Sequence, residues 1–297
     1  TEEEIDNNFK PELEKMAEVN GWTLRHTHDN LKDFYDGYHF SPRNMVDIYN
    51  PFSLINALDT QNLNSYWASS GATSMLPTFV KDVELRLQDF EDCMILRNTL
   101  ETSDVTGGGS ELFLYQSGYL TIKSCQGNIY HLGFPNEEVK QALYECVLPA
   151  LTLRQEADTQ SLQAQVYQYL EFKELGKAMK AIKALVADVP YSNKKLASMN
   201  MEERYRLIIS TILNSVGLRV EVERMISTGR IDLVVTTSHY IYVIELKLRN
   251  NGGKAAAIQQ IIDCKYMEPF MADKREVVGL GIELDETGKG LLDWALC

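Results

Sequence analysis

Two neighbouring apolar segments near the C-terminus contain charged residues where packing alone favours hydrophobic side chains. The segment 229–235 reads Gly-Arg-Ile-Asp-Leu-Val-Val and places Asp232 among aliphatic residues. The segment 240–248 reads Tyr-Ile-Tyr-Val-Ile-Glu-Leu-Lys-Leu and places Glu245 and Lys247 in an otherwise apolar run. Burying a carboxylate in a strand costs free energy unless an ion or a charged partner compensates it. The pattern therefore favours a site over a packing arrangement.

Strand geometry predicts how these charges are arranged. Glu245 and Lys247 are two residues apart and project from the same face of a strand, with the Leu246 backbone carbonyl in the pleat between them. If Asp232 lies on the neighbouring strand, one face gathers two carboxylates, a carbonyl and an ammonium group. Hard oxygen ligands with open positions suit Mg²⁺ or Mn²⁺. We therefore predict a metal site here, with Lys247 orienting a nucleophile or stabilising an anion.

A purely structural alternative stays open for the same residues. Asp232 could instead form a buried salt bridge, with Arg230 or with Lys247 as its partner. Such a pair would satisfy the buried carboxylate without any ion.

The order of predicted elements indicates a mixed sheet in the C-terminal third. Residues 190–193, Pro-Tyr-Ser-Asn, interrupt the preceding helical pattern, and we place a domain boundary there, giving domains 1–189 and 190–297. Periodicity and turn residues then predict, in chain order, helix 201–216, strands 218–225, 231–236 and 241–248, helix 254–271 and strand 276–284. This order is typical of an α/β domain with a mixed central sheet flanked by helices.

The N-terminal part is predicted to be mainly helical. Asn50 is expected to cap a helix begun by Pro51, and residues 74–97 have helical periodicity. After a glycine loop at 106–110, residues 111–135 suggest a helix end and two strands, a winged-helix-like unit. Three further helices are predicted, at 136–148 with Asn136 as its cap, at 161–172 and at 175–187.

Charge is unevenly distributed between the two parts. The net charge is −13, and residues 1–189 carry 28 acidic and 15 basic side chains whereas residues 190–297 carry 14 of each. Proteins that bind the nucleic-acid backbone usually present a basic face. The acidic part is therefore a poor candidate for that contact, and any DNA binding is expected to be weak and salt-sensitive.

Other composition features restrict the class of protein. The five cysteines are scattered without a CxxC pair, which favours a reducing, cytoplasmic location and argues against structural zinc. No apolar window of about 18 residues predicts a membrane span. The sequence begins at Thr1 rather than methionine, so we expect further sequence upstream.

Asp232 followed by Glu245-Leu-Lys247 resembles the D…ExK core of the PD-(D/E)XK nuclease superfamily. Within this superfamily, the chain most resembles the restriction-endonuclease-like domain attached to bacterial AAA-ATPase-like proteins. In the C-terminal part, the segments that resemble this nuclease domain are 229–234, 240–247 and 260–266. In the N-terminal part, the segments that resemble the C-terminal part of the ATPase-like module are 35–38, 49–52, 115–120 and 132–139.

The resemblance implies metal-dependent hydrolysis of DNA phosphodiesters, with Asp232 and Glu245 binding Mg²⁺ or Mn²⁺ and Lys247 as the catalytic lysine. Further site residues implied by the same resemblance are Gln260 and Tyr266, and Glu202 as an additional metal ligand. The plainer interpretation of Glu202 is a charge favourable to the helix dipole, and that of Gln260 is a solvated helix face.

The sequence also departs from the family. Met225 and Ile226 stand where relatives often have Arg-Thr before the glycine turn. No GxxxxGK phosphate loop followed by Ser or Thr is present, so we expect no ATPase activity from this chain and place any ATPase core upstream. Two rival functions remain open, a catalytically silent nucleic-acid- or protein-binding module that retains the fold, and a regulatory ATPase fragment.

Overall fold

The computed structural model describes residues 1–67, 90, 92–100, 109–151, 156–189, 196 and 199–297. These fall into two compact units, one with the described residues up to Leu143 and the other from Tyr144 to Cys297. The second unit thus begins before the predicted boundary, whose residues 190–193 lie outside the described ranges. Across the described ranges, no helix is long and apolar enough to cross a membrane.

The first unit begins with four helices around an apolar core. They are α1 (Glu2–Asn8), α2 (Lys10–Asn20), α3 (Leu24–Tyr35) and α4 (Pro51–Thr60). The core includes Leu13, Met16, Leu31 and Tyr35. As predicted, Asn50 caps α4, because its side-chain oxygen accepts a hydrogen bond from the Phe52 amide at 3.1 Å.

A small antiparallel sheet follows in the same unit. The elements of this part of the chain are β1 (Cys93–Leu96), α5 (Arg97–Leu100), α6 (Gly109–Gln116), β2 (Thr121–Gln126) and β3 (Ile129–Gly133). Helix α7 (Glu137–Leu151) follows, and its residues from Tyr144 onwards belong to the second unit. The strand order is β1-β3-β2. The predicted helix end and strand pair are present, and Asn136 accepts a hydrogen bond from the Val139 amide at the start of α7. A winged-helix assignment stays a prediction.

The helix predicted over 74–97 is wrong at its C-terminal end. Residues Cys93 and Ile95 are buried while Met94 and Leu96 are exposed, so this segment follows the two-residue period of a strand and pairs with β3. The remainder of that prediction, residues 74–89 and 91, lies outside the described ranges, as do residues 106–108 of the predicted glycine loop.

The second unit is built around a mixed five-stranded sheet. Its elements are α8 (Glu156–Glu171), α9 (Leu175–Ala187), α10 (Met201–Ser215), β4 (Arg219–Ile226), β5 (Gly229–Thr236), β6 (Tyr240–Leu248), α11 (Gly253–Asp263), β7 (Glu276–Leu284) and β8 (Leu291–Leu296). The strand order is β4-β5-β6-β7-β8. Only the β6–β7 pair is parallel, and α11 forms its crossover. The predicted mixed sheet is therefore confirmed.

The helix predicted over 254–271 is too long. Helix α11 ends at Asp263, where Lys265 adopts a left-handed φ of 52° and the Tyr266 amide donates back to the Ile261 carbonyl at 3.0 Å. This reversal satisfies carbonyl groups at the helix end and buries the Tyr266 side chain under the sheet. The sequence analysis also missed β8, which pairs with β7 at the edge of the sheet.

Helix α10 begins at a capping box that fixes the position of its first turn. The Asn200 side chain accepts a hydrogen bond from the Glu203 amide at 3.0 Å, and the Glu203 carboxylate accepts one from the Asn200 amide at 3.1 Å. Glu202 and Arg206 lie within the first six residues of this helix. The cap therefore also positions two charged side chains beside the sheet.

We expect Asn200→Ala to lower the free energy of unfolding by about 1 kcal/mol, because the Glu203 amide in the first turn of α10 loses its side-chain acceptor. Asn250→Ala is the matched control, since Asn250 is an exposed residue of the same unit. Urea unfolding followed by circular dichroism measures both variants. Equal stability of the two would contradict this role for the cap.

Candidate active site

Strands β5 and β6 bring Asp232 and Glu245 together. The antiparallel ladder pairs Leu233 with Ile244, and the same register continued by one residue sets Asp232 opposite Glu245. Residues directly opposite one another in an antiparallel pair share a face of the sheet. In addition, the Leu246 amide donates a hydrogen bond to Oδ2 of Asp232 at 2.9 Å. The two carboxylates predicted from sequence therefore lie on adjacent strands.

Glu245 is a buried carboxylate with an incompletely satisfied charge. Its side chain is 2% exposed, and Oε1 accepts a hydrogen bond from Nζ of Lys247 at 2.9 Å. Oε2 is buried and has no hydrogen-bond partner among the residues that the structure describes. Burial, followed by the charge of Asp232, raises the pKa of Glu245 to about 7 despite the nearby lysine. Such an oxygen is destabilising unless a proton or a cation occupies it.

Lys247 carries a positive charge at this site. Burial by itself would lower its pKa, but the hydrogen bond to Glu245 and the charges of Glu245, Asp232 and Glu202 raise the pKa above its ordinary value. The ammonium group therefore stays protonated at neutral pH. Lys247 is thus suited to hold a negative charge and is unsuited to act as a general base.

Asp232 already has a cationic partner. Nη1 of Arg206 lies 2.7 Å from Oδ1 of Asp232, and the two side chains are only 10% and 13% exposed. The buried salt bridge considered as an alternative in the sequence analysis is therefore present, but Asp232 forms it with Arg206 and not with Arg230 or Lys247. Lys247 pairs with Glu245, and Arg230 lies at the end of a different ion pair.

Arg206 and Glu223 are the residues of this cluster that sequence reasoning missed. Nη1 of Arg206 also lies 3.2 Å from Oε1 of Glu223, which in turn lies 3.1 Å from Nη1 of Arg230. Arg206 follows Glu202 by four residues, so helical spacing alone would have placed both on one face. Glu223 stands opposite Asp232 in the register of the β4–β5 hairpin, which the turn before Gly229 determines.

The side chain of Glu202, in the first turn of α10, lies beside the end of β6. Its Oε1 accepts hydrogen bonds from the Leu248 amide at 3.4 Å and from Nδ2 of Asn251 at 3.1 Å. Its charge is one of those that raise the pKa of Lys247. The structure thus places Glu202 close enough to act electrostatically on the site, with a carboxylate that already accepts two hydrogen bonds.

Gln260 and Tyr266 form a pair beyond the carboxylates. Nε2 of Gln260 donates to the Tyr266 hydroxyl at 3.1 Å, and Tyr266 is 2% exposed. Burial and the charge of Glu245 raise the pKa of Tyr266, so its phenol stays neutral. Tyr266 also packs against Gly229, where an added Cβ atom would stand 2.8 Å from the hydroxyl. The two residues therefore connect the end of α11 to the start of β5.

Residues 200–294 match the family profile of the PD-(D/E)XK nuclease superfamily. This part of the chain is a PD-(D/E)XK nuclease superfamily domain, in agreement with the resemblance of its D…ExK segment. Nucleases of this superfamily generally use divalent metals such as Mg²⁺. The match covers the capped helix α10, strands β4 to β7 and the greater part of β8, and it contains every site residue described above.

One relative aligns with the whole chain. It is an uncharacterized protein in the vnfD 5' region of Azotobacter chroococcum mcd 1, 26% identical over 313 residues that cover 100% of this chain and 56% of the relative. The chain thus spans little more than half the length of that protein. No solved structure matches the chain. The ATPase-like relationship stays a prediction, since neither similarity bears on it.

The residues present fit a single divalent cation with few protein ligands. No group of three or more His, Cys, Asp and Glu side chains suited to a metal occurs within the described ranges. Two carboxylates nevertheless face each other, and one buried oxygen of Glu245 lacks a partner. Mg²⁺ is commonly held by one or two carboxylates, with water and substrate phosphate completing its shell. The donor set therefore suits such an ion.

In metal-free buffer, we expect Glu245→Gln to be at least as stable as the wild type, with a difference that grows with pH. Because the folded pKa is raised from 4.5 to about 7, the wild-type stability is full below pH 4.5 and falls as the pH rises towards 7. Glutamine does not ionise, so the variant should gain about 1–3 kcal/mol relative to wild type across this interval.

Thermal unfolding in chelator at pH 5 and at pH 7.5 measures this difference. Glu286→Gln, an exposed substitution in the same unit, is the matched control. A structural ion pair would give the opposite result, since breaking a buried pair costs about 3–5 kcal/mol. A large loss of stability in Glu245→Gln at pH 7.5 would therefore favour the purely structural interpretation.

Proposed function

We propose that this protein is a metal-dependent nuclease that hydrolyses DNA phosphodiesters with the site on β5 and β6. The observation that carries the proposal is the unpartnered buried oxygen of Glu245, set beside Asp232 and Lys247. A structural carboxylate would be expected to have both oxygens paired. A divalent cation would be the partner that this oxygen lacks.

The ligands we assign to this cation are the carboxylates of Asp232 and Glu245, with the Leu246 carbonyl and Glu202 as further donors. A bound Mg²⁺ or Mn²⁺ would activate a water molecule and offset negative charge on the scissile phosphate. This assignment is supported by the hard oxygen character of every donor in the set.

The protein's own groups have distinct parts in the proposed reaction. Lys247 supplies a fixed positive charge for the phosphate or for the attacking water, and its hydrogen bond to Glu245 keeps the ammonium in place. Gln260 holds the Tyr266 hydroxyl, and the neutral phenol packs against the first residue of β5. In this proposal these two residues orient the site without exchanging protons.

Binding to DNA is proposed to be weak. Residues 1–189 carry a large excess of acidic side chains, whereas residues 190–297 carry equal numbers of both signs. Phosphate contacts therefore depend on local charges such as Lys247, and salt screens such contacts strongly. We expect low activity that falls steeply as ionic strength rises.

The N-terminal part is proposed to be the end of a bacterial AAA-ATPase-like module whose nucleotide-binding core lies upstream, in a cytoplasmic protein. The support is the set of sequence blocks between residues 35 and 139. The described part of 109–151, with a helix, a two-stranded hairpin and a further helix, agrees with the winged-helix-like arrangement proposed there.

The second candidate is a catalytically silent module that binds nucleic acid or protein. The observation in its favour is the ion pair between Arg206 and Asp232, which already neutralises one of the two carboxylates. In a protein that had lost catalysis, Arg206 would stay paired with Asp232 and no metal ion would bind there. Cleavage assays separate the two candidates.

With Mg²⁺ or Mn²⁺ at low salt, we expect the purified chain to nick or degrade DNA. Lys247→Ala should abolish cleavage while retaining the ion, because the ammonium acts on the phosphate or the water. Asp232→Ala should lose both cleavage and ion binding. Plasmid and single-stranded substrates report cleavage, and calorimetry reports the ion.

Lys274→Ala is the matched control for these variants, because it removes an exposed lysine of the loop before β7 that the site does not use. This control should cleave like the wild type. Equal residual cleavage by wild type, Lys247→Ala and Asp232→Ala would mean contamination. That result would support the binding module instead.

A further inference from the structure

The cation that the structure shows at Asp232 is a side chain of the protein itself. Arg206 is 8% exposed as a residue, and its Nη1 contacts Oδ1 of Asp232 at 2.7 Å. The Nε atom of Arg206 is buried and has no hydrogen-bond partner among the described residues. A guanidinium with one unsatisfied donor in a buried position is held there mainly by the charges around it.

The same Nη1 atom also contacts a second acceptor. It lies 3.2 Å from Oε1 of Glu223, and the corresponding distance to Asp232 is 2.7 Å. A displacement of Nη1 by a fraction of an ångström would therefore make Glu223 the nearer of the two carboxylates. Helix α10 supplies the arginine, and strands β4 and β5 supply the two acceptors.

Glu223 occupies its place at a conformational cost. Its φ is +51°, a left-handed backbone conformation that non-glycine residues rarely adopt inside a strand. The flanking pairs Val222–Leu233 and Arg224–Ile231 keep regular register, so the distortion is confined to this residue. Local strain of this type is maintained where the surroundings require a particular side-chain position, often at functional sites.

The carboxylates of this cluster already have cationic partners in the protein. Asp232, Glu223 and Glu245 pair with Arg206, Arg230 and Lys247 within the contacts already given, and Glu202 adds a further negative charge near Lys247. A divalent cation adds two positive charges at Asp232 and Glu245. Arg206 is the resident cation bound directly to Asp232, so its guanidinium would be repelled by an ion at that carboxylate.

We propose that Arg206 is an internal counter-ion that competes with the divalent cation for Asp232, and that Glu223 is the acceptor to which Arg206 shifts when the ion binds. This inference rests on the proposed metal-dependent function and deepens it. Arg206 and Glu223 are positioning residues here, because they act through Asp232 and not on the substrate. The arrangement lowers the affinity of the site for the ion, and it gives the buried Asp232 carboxylate a cationic partner.

The two residues should have opposite effects on ion binding, which a structural role would not produce. Arg206→Gln removes the competitor and should bind Mn²⁺ at least about tenfold more tightly, the scale on which one neighbouring charge alters a carboxylate's affinity for a proton. Glu223→Gln removes the negative charge that would attract the guanidinium, leaves Arg206 on Asp232, and should bind Mn²⁺ about tenfold more weakly on the same scale.

The experiment is a calorimetric titration of the whole chain with MnCl₂, without DNA, using wild type, both single variants and the double variant. The double variant should bind like Arg206→Gln, because Glu223 has nothing to accept once the arginine is gone. Arg224→Gln and Glu221→Gln are matched controls, since they alter a 2.8 Å ion pair on the same strand β4. Both controls should bind Mn²⁺ like the wild type.

Each outcome decides the proposal. If the double variant binds more weakly than Arg206→Gln, Glu223 acts on the ion directly, as a ligand or through its own charge, and the proposal is overturned. Weaker binding by Arg206→Gln, or unchanged binding by Glu223→Gln, also overturns it. If the wild type binds Mn²⁺ but the variants do not differ from it, the counter-ion proposal is overturned and the metal-dependent function stands. If neither the wild type nor Arg206→Gln binds Mn²⁺, both proposals are overturned. If thermal unfolding shows that Arg206→Gln does not fold, Glu223→Gln alone decides.

Discussion

The burial of two facing carboxylates on adjacent strands is the constraint on which the rest of this domain depends. Glu245 is almost fully buried and Asp232 nearly so, and each requires a compensating charge. Lys247 supplies one from the same strand, two residues away. Arg206 supplies the other from a helix that must reach the sheet at the correct height. The sheet, the helix and the site are therefore specified together.

Helix α10 is the element that makes this compensation work. Its capping box at Asn200 fixes the first turn, from which Glu202 contacts the end of β6 and Arg206 contacts Asp232 on β5. A second helix end also shapes the site, because the chain reversal after α11 buries Tyr266 against the beginning of β5. Backbone devices at helix ends thus position the polar groups around an otherwise apolar sheet.

Much of this domain was predictable because its signals are local. Apolar runs bounded by turn residues marked strands β4 to β7, and charges inside two of those runs marked Asp232, Glu245 and Lys247. The end of α11 was missed because Lys265, not glycine, adopts the left-handed conformation there. Strand β8 was missed because it is a partly exposed edge strand with a weak apolar pattern. The strand β1 was hidden in a pattern with helical periodicity.

By itself, the sequence determined which residues are expensive to bury and on which strands they lie, because strand alternation and apolar runs are properties of the chain alone. Only the tertiary structure decided which charges meet. Arg206 reaches Asp232 across 26 residues, and Glu223 turns towards the same guanidinium through an unusual φ. Pairing of charges depends on distances of a few ångströms between separate elements, and packing sets those distances. No periodicity in the sequence encodes them.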